Sequence, residues 1–305
     1  MAMTIKILFA AAAIAMAWGS PVVAQAPSLA DAQAVLADRP ECTTFSWLPN
    51  PNGDERGAIT VPVSINGETL NLQLDTGANA TILYGSKSAD AGWASPDAEE
   101  FRTSQFSIGS TAIDRPAIYL NRDMTASDEV AGTLGLAELV GRVAVIDYPG
   151  RRFCLFADAD LPDVLRDGPA VRATLRNGKL FVPVEVGDVA SDAMVFDTGS
   201  SELPLWVDLD LWQELTGLDN TASAPRTFEG SSWGTKIILA GASAKAPVML
   251  GAIALGPQDV FTNTAKPDSF KSWPFRADGV LGNAPLWDGV LVLDLTGRVR
   301  LHIIR

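Results

Sequence analysis

The sequence has a single histidine, His302, and only two cysteines, Cys42 and Cys154, in 305 residues. So little imidazole and thiol speaks against Ser-His or Cys-His nucleophilic catalysis and against a His-rich metal site; His302 reads as a strand residue. Positive charge is also scarce, with 23 Lys and Arg against 36 Asp and Glu, a net charge of −13. A chain this acidic lacks the electrostatic footprint for nucleic acid or an anionic membrane, and it disfavours anionic substrates. Beyond the first two dozen residues no run is long and apolar enough to span a bilayer. Low-complexity sequence is missing there too, and convincing helical stretches are few.

What is present begins with an export pattern. Lys6 precedes the Ala-rich apolar run Ile7 to Trp18, and small residues at Val22 and Ala24 offer a cleavage site. Residues 1–24 are therefore read as a signal peptide, in a style that suggests a bacterium and a periplasmic or secreted product. In an oxidising compartment Cys42 and Cys154 can bridge or remain two buried thiols. Residues 25–56 form an N-terminal extension, with a helix expected over Ser28 to Asp38, that is either a pro-segment or a structural strap.

The strongest signal is an internal repeat. Thr60-Val61-Pro62-Val63-Ser64-Ile65-Asn66-Gly67, followed by Leu70-Asn71-Leu72-Gln73-Leu74-Asp75-Thr76-Gly77, is answered by a second copy. That copy reads Phe181-Val182-Pro183-Val184-Glu185-Val186-Gly187-Asp188, then Ala193-Met194-Val195-Phe196-Asp197-Thr198-Gly199. Each copy is two β-type runs around a Gly-containing turn, ending in Asp-Thr-Gly at a strand exit. Downstream, Gly132-Thr133-Leu134-Gly135 is matched by Gly279-Val280-Leu281-Gly282. Apolar strands then run into Asp147 and Asp294, each followed by a Gly-Arg turn. Four matched elements in one order divide the chain into lobe 1 at 57–157, a connection at 158–178 and lobe 2 at 179–305. Arg151, Arg152, Arg298 and Arg300 are expected to be solvated turn charges. Leu209 to Leu215 is a candidate short helix, with Asp208 and Asp210 at its polar start and not in a metal-dependent phosphatase motif.

Two Asp-Thr-Gly turns meeting across a pseudo-twofold axis would bring two carboxylates within a few ångströms. Like charges that close share a proton, so one carboxylate works as a base while the other donates. In this arrangement Leu72-Gln73-Leu74-Asp75-Thr76-Gly77-Ala78-Asn79-Ala80-Thr81-Ile82-Leu83 resembles the active-site strand of retropepsins. Val195-Phe196-Asp197-Thr198-Gly199-Ser200-Ser201-Glu202-Leu203-Pro204-Leu205-Trp206 resembles that of pepsins. Leu134-Gly135 and Leu281-Gly282 resemble the element that threads beneath each catalytic Asp in aspartic proteases.

The resemblance covers residues 57 to 305 and implies an all-β, bilobal acid-protease fold: two pseudo-twofold-related β-barrel lobes with an interlobe cleft. It implies Asp75 and Asp197 as the catalytic pair, supported by Thr76, Gly77, Thr198, Gly199 and Ser200. Thr76 and Thr198 would exchange hydrogen bonds between the lobes. The activity implied is hydrolysis of peptide bonds in an extended peptide or unfolded protein, by water and without metal or cofactor; a monomer suffices. The alternative is a catalytically silent periplasmic binding or scaffold protein on the same fold. Ser200 is expected to hydrogen-bond Asp197 and make it the more readily ionised member. A hairpin through Gly230, Ser231, Trp233 and Gly234 is the candidate flap, whereas Glu100 to Gly109 in lobe 1 is not flap-like. Trp206, Trp233, Trp273 and Trp287 are read as packing residues with a possible share in the cleft wall.

Overall fold

The structure is a computed structural model that describes residues 27–50, 53–232 and 234–305. The expected signal peptide and Trp233 lie outside the described residues. Strands dominate, and they form three sheets: one of nine strands in lobe 1, one of ten in lobe 2, and one of six shared by both. This is an all-β, bilobal architecture.

The two lobe sheets have the same order. In lobe 1, Gly132–Gly135 runs between Glu68–Asp75, to which it is parallel, and Ile82–Tyr84. In lobe 2, Gly279–Leu281 runs between Val189–Phe196, again in parallel, and Leu205–Val207. Outward from this threaded strand, Ala58–Ile65 and Lys179–Val186 pair with the Asp-bearing strands. On the other side, Ala117–Asn121 and Asp259–Asn263 lie parallel to Ile82–Tyr84 and Leu205–Val207. The threaded strands are fully buried, which is why they read as short apolar runs without alternation.

The shared sheet carries the pseudo-twofold axis. Val143–Asp147 pairs antiparallel with Val290–Asp294, and its register runs from Val143 opposite Asp294 to Asp147 opposite Val290, centred on Val145 and Val292. Each of these strands continues into the turn that the sequence repeats. Those turns are not merely solvated. Arg152 pairs with fully buried Asp147 at 2.9 Å, and Arg300 with Asp294 at 3.0 Å. The expectation for Arg152 and Arg300 is thus corrected: a buried carboxylate at a sheet centre requires a partner, and the arginine supplies it.

The repeat also begins earlier than its apolar pattern shows. Cys42–Thr44 closes one edge of the shared sheet and Ala170–Arg172 the other. The next strands, Ser46–Leu48 and Thr174–Arg176, pair with the first long strand of each lobe. The N-terminal extension and the interlobe connection are therefore structural counterparts.

The extension is held against the shared sheet. Its helix, Leu29–Leu36, starts at a capping box in which Ser28 Oγ accepts from the Asp31 backbone and Asp31 reciprocates. The helix buries Ala32 and Leu36 against Val143, Val145, Phe156, Val290 and Val292 of the shared sheet. Burying the Leu36 side chain contributes roughly 1.5–3 kcal/mol. A Cys42–Cys154 disulfide fixes the strap to lobe 1. Trp47 then packs on Tyr148 and, edge-on at 5.6 Å, on Trp287 of lobe 2. No helix among the described residues is long and apolar enough to cross a membrane.

Candidate active site

Asp75 is the last residue of Glu68–Asp75, and Asp197 follows Val189–Phe196 directly. Because the threaded strand lies alongside each, both turns leave their sheets at the same level and face each other across the axis. Thr76 and Thr198 lock them together. The Thr76 amide donates to Thr198 Oγ1 at 3.0 Å, and the Thr198 amide donates to Thr76 Oγ1 at 3.0 Å. Each hydroxyl then donates to a backbone carbonyl of the opposite lobe, Thr76 to Phe196 and Thr198 to Leu74. Both threonines are completely buried, so each of these four bonds contributes about 0.5–1.5 kcal/mol and replaces a costly orphan.

The glycines are explained by close approach. A Cβ on Gly77 would stand 2.5 Å from Asp197 Cγ, and one on Gly199 would stand 2.6 Å from Asp75 Cγ. Each carboxyl therefore occupies the space that the opposite glycine leaves open, and the two acids are in hydrogen-bond contact. The Ala78 amide donates to Asp75 Oδ1 at 2.9 Å, and the Gly199 amide to Asp197 Oδ1 at 2.8 Å. Burial first, and the charge of Asp197 second, push Asp75 well above the usual carboxylate range. Two carboxyls this close share a single proton.

The expected role of Ser200 is corrected. Its hydroxyl is buried without a hydrogen-bond partner among the described residues, so the bond to Asp197 is not made. Burial raises Asp75, and that is a tertiary property which the neighbouring serine does not control.

Lys179, at the start of Lys179–Val186, was missed by the sequence reasoning. Its ammonium donates to the Gly77 carbonyl, and its charge acts on both acids. Burial holds the Lys179 pKa below its ordinary value even though Asp197 and Asp75 oppose that shift. The signal was a lysine at the strand start where lobe 1 has Ala58. On the other face, Asn283 ties down the lobe 2 turn: its amide donates to the Thr198 carbonyl at 3.3 Å, and its carbonyl accepts from Ser201 Oγ and Trp287 Nε1.

The dyad lies at the floor of a cleft of about 260 Å³. Lobe 1 contributes Gln73, Tyr84, Met124 and Thr133, and the Tyr84 and Thr133 hydroxyls hydrogen-bond to each other. Lobe 2 contributes Glu202, Leu203, Trp206 and a long hairpin, Arg226–Ser232 with Thr235–Ser243. The hairpin presents Phe228, Gly230, Ser231, Ser232, Gly234 and Ile237 to the cleft. The candidate flap residues Gly230, Ser231 and Gly234 thus line the same cleft as the dyad. Trp206 lines the cleft and packs on Phe270, Trp273 packs between Phe270 and Phe275, and Trp287 stays with the strap. The described residues hold no cluster of three or more His, Cys, Asp or Glu suited to a metal ion.

Strand order, threaded strands and paired Asp-Thr-Gly turns together define a pepsin-like fold. No family model matches the chain, and no curated protein matches it. Among solved structures it aligns with the crystal structure of basic 7S globulin from soybean, at 12% identity and a TM-score of 0.47, over 86% of this chain and 95% of that one. A likeness at that level leaves the fold to be read from the topology itself.

Proposed function

We propose that the protein is an exported aspartic endopeptidase acting on extended peptides or unfolded protein segments. The observation that carries this reading is the pair of carboxyls, each held by a backbone amide and locked by the reciprocal threonine bonds, with Asp75 biased toward its protonated form.

The chemistry follows from that bias. The Asp197 carboxylate takes a proton from water as its oxygen adds to the scissile carbonyl carbon. Asp75 donates its proton to the carbonyl oxygen, giving a neutral gem-diol. Asp197 then passes its proton to the amide nitrogen while Asp75 takes one from a gem-diol hydroxyl, so the C–N bond breaks and the pair is left with its single shared proton. No covalent bond to the enzyme forms. Two acids with one proton between them form the pattern that the aspartic proteases exemplify. The disulfide is consistent with an oxidising compartment, and hence with export.

Hydrolysis of an unfolded protein mixture across pH 3 to 8 tests the proposal. Cleavage by the wild type, lost in both Asp75→Asn and Asp197→Asn while each variant stays folded, is the expected result. A folded wild type that cuts nothing across this range would overturn the endopeptidase reading in favour of peptide binding without turnover.

A further inference from the structure

Beyond the shared Asp-Thr-Gly the two dyad turns diverge, and the fifth residue after the Asp is Ala80 in lobe 1 and Glu202 in lobe 2. The repeated frame therefore does not require a carboxyl at this place. Glu202 lines the cleft together with Asp75, Asp197 and the flap residues Gly230, Ser231 and Ser232. Its Oε2 is buried and has no hydrogen-bond partner among the described residues. What surrounds it is a side-chain hydrogen bond to Asn50 of the strap and the negative charge of Asp54. Burial first, with Asp54 adding to it, raises the Glu202 pKa to about 7 despite the bond to Asn50. A buried carboxyl left short of one partner is costly, and a cation entering the cleft would remove that cost.

We propose that Glu202 forms a subsite that selects a lysine or arginine side chain of the bound peptide. The unpartnered oxygen matches an ammonium or guanidinium donor, and a strong charge-assisted hydrogen bond would form where the free protein leaves one unmade. Asp54 adds a second negative charge for the incoming cation. The net charge of −13 draws basic peptides toward the molecule. The remaining cleft wall, with Leu203, Trp206, Phe228 and Ile237, offers apolar contacts to neighbouring side chains. The N-terminal extension also acquires a functional part, because Asn50 hydrogen-bonds Glu202.

This inference rests on the peptide-binding part of the proposed function, not on turnover, and the test separates the two. Binding is measured for the full chain with decapeptides that carry a non-cleavable hydroxyethylene unit and, at one position at a time, lysine or uncharged norleucine. At one position lysine is expected to bind at least about tenfold more tightly. Glu202→Gln, which keeps the means to bond Asn50 but removes the charge, should bring that ratio near one. Glu202→Asp should retain part of the preference. No lysine-preferring position, or a preference that Glu202→Gln leaves intact, would overturn the inference. Cleavage of unfolded protein by the wild type without a basic preference would overturn it while leaving the endopeptidase standing. A Glu202-dependent lysine preference without any hydrolysis would do the reverse. A folded protein that neither binds nor cleaves would sink both.

Discussion

Lobe 1 and lobe 2 share a strand order and carry one acid each, yet among the described residues only lobe 2 extends a long hairpin that lines the cleft. Glu100–Arg102 in lobe 1 and Thr235–Ser243 in lobe 2 occupy the same place, antiparallel to Ala117–Asn121 and Asp259–Asn263 respectively. The first has three residues and the second nine, and the second is paired along its length with Arg226–Ser232. Among the described residues lobe 1 has no counterpart of that partner strand. Lobe 1 instead fills its side of the cleft with Tyr84 and Thr133, and it alone is tied to the strap by a disulfide. The lesson is a division of labour: symmetric elements build the dyad, and asymmetric insertions build the surroundings that a substrate meets.

The symmetry of the dyad is the claim most sharply open to attack. Asp75→Asn and Asp197→Asn should each lower kcat/KM by about a thousandfold or more, since neither acid can do both proton transfers alone. Steady-state rates on one peptide decide this, and substantial activity in either variant would make the lobes unequal at the chemical step.

Losing the tether comes next. Replacing Cys42 and Cys154 by serine should cost about 2–5 kcal/mol in denaturant unfolding, because the bridge closes a separation of 112 residues. Loss of the strap helix before the lobes would sharpen the contrast between the anchored and the free side. Shortening the hairpin between Arg226 and Gly241 to a tight turn should reduce kcat/KM by about a hundredfold through lost positioning, with the melting temperature held. An unchanged rate would mean that the asymmetric hairpin is not a flap.

Smaller effects test the lock and the charge. Thr76→Val and Thr198→Val should destabilise by similar amounts, about 1–3 kcal/mol each, as their bonds are mirror images. Unequal losses in thermal or chemical unfolding would show that one lobe depends more on the lock. Lys179→Met should move the alkaline limb of the kcat/KM pH profile upward. The lysine charge lowers the Asp75 pKa, so its removal lets the catalytic proton persist to higher pH. A downward shift would mean that the ammonium acts on the pair by some other route.

Much of this was legible in the residue order. The helix expected from Ser28 and the short helix at Leu209–Thr216 are local, and their signals sit within one or two turns of chain. The repeat disclosed both acids because Asp-Thr-Gly needs a strand, a hydroxyl and an open glycine in immediate succession. Lys179 and Glu202 were visible only as departures from the repeat, at Ala58 and Ala80 in the other copy. Ser200 was misread because adjacency in sequence does not aim a hydroxyl; that group is buried without a hydrogen-bond partner among the described residues.

The sequence by itself determined the two-lobed strand plan, the position of both acids and the glycines that let them meet, since these depend on apolar pattern and backbone geometry within short segments. Only the tertiary structure decided how far burial raises Asp75 out of the usual carboxylate range, where Lys179 and Glu202 stand relative to the pair, which arginines neutralise the buried Asp147 and Asp294, and that residues 27–48 brace the fold. The physical reason is that burial and charge proximity are properties of groups far apart in the chain, and no local pattern encodes the dielectric around them.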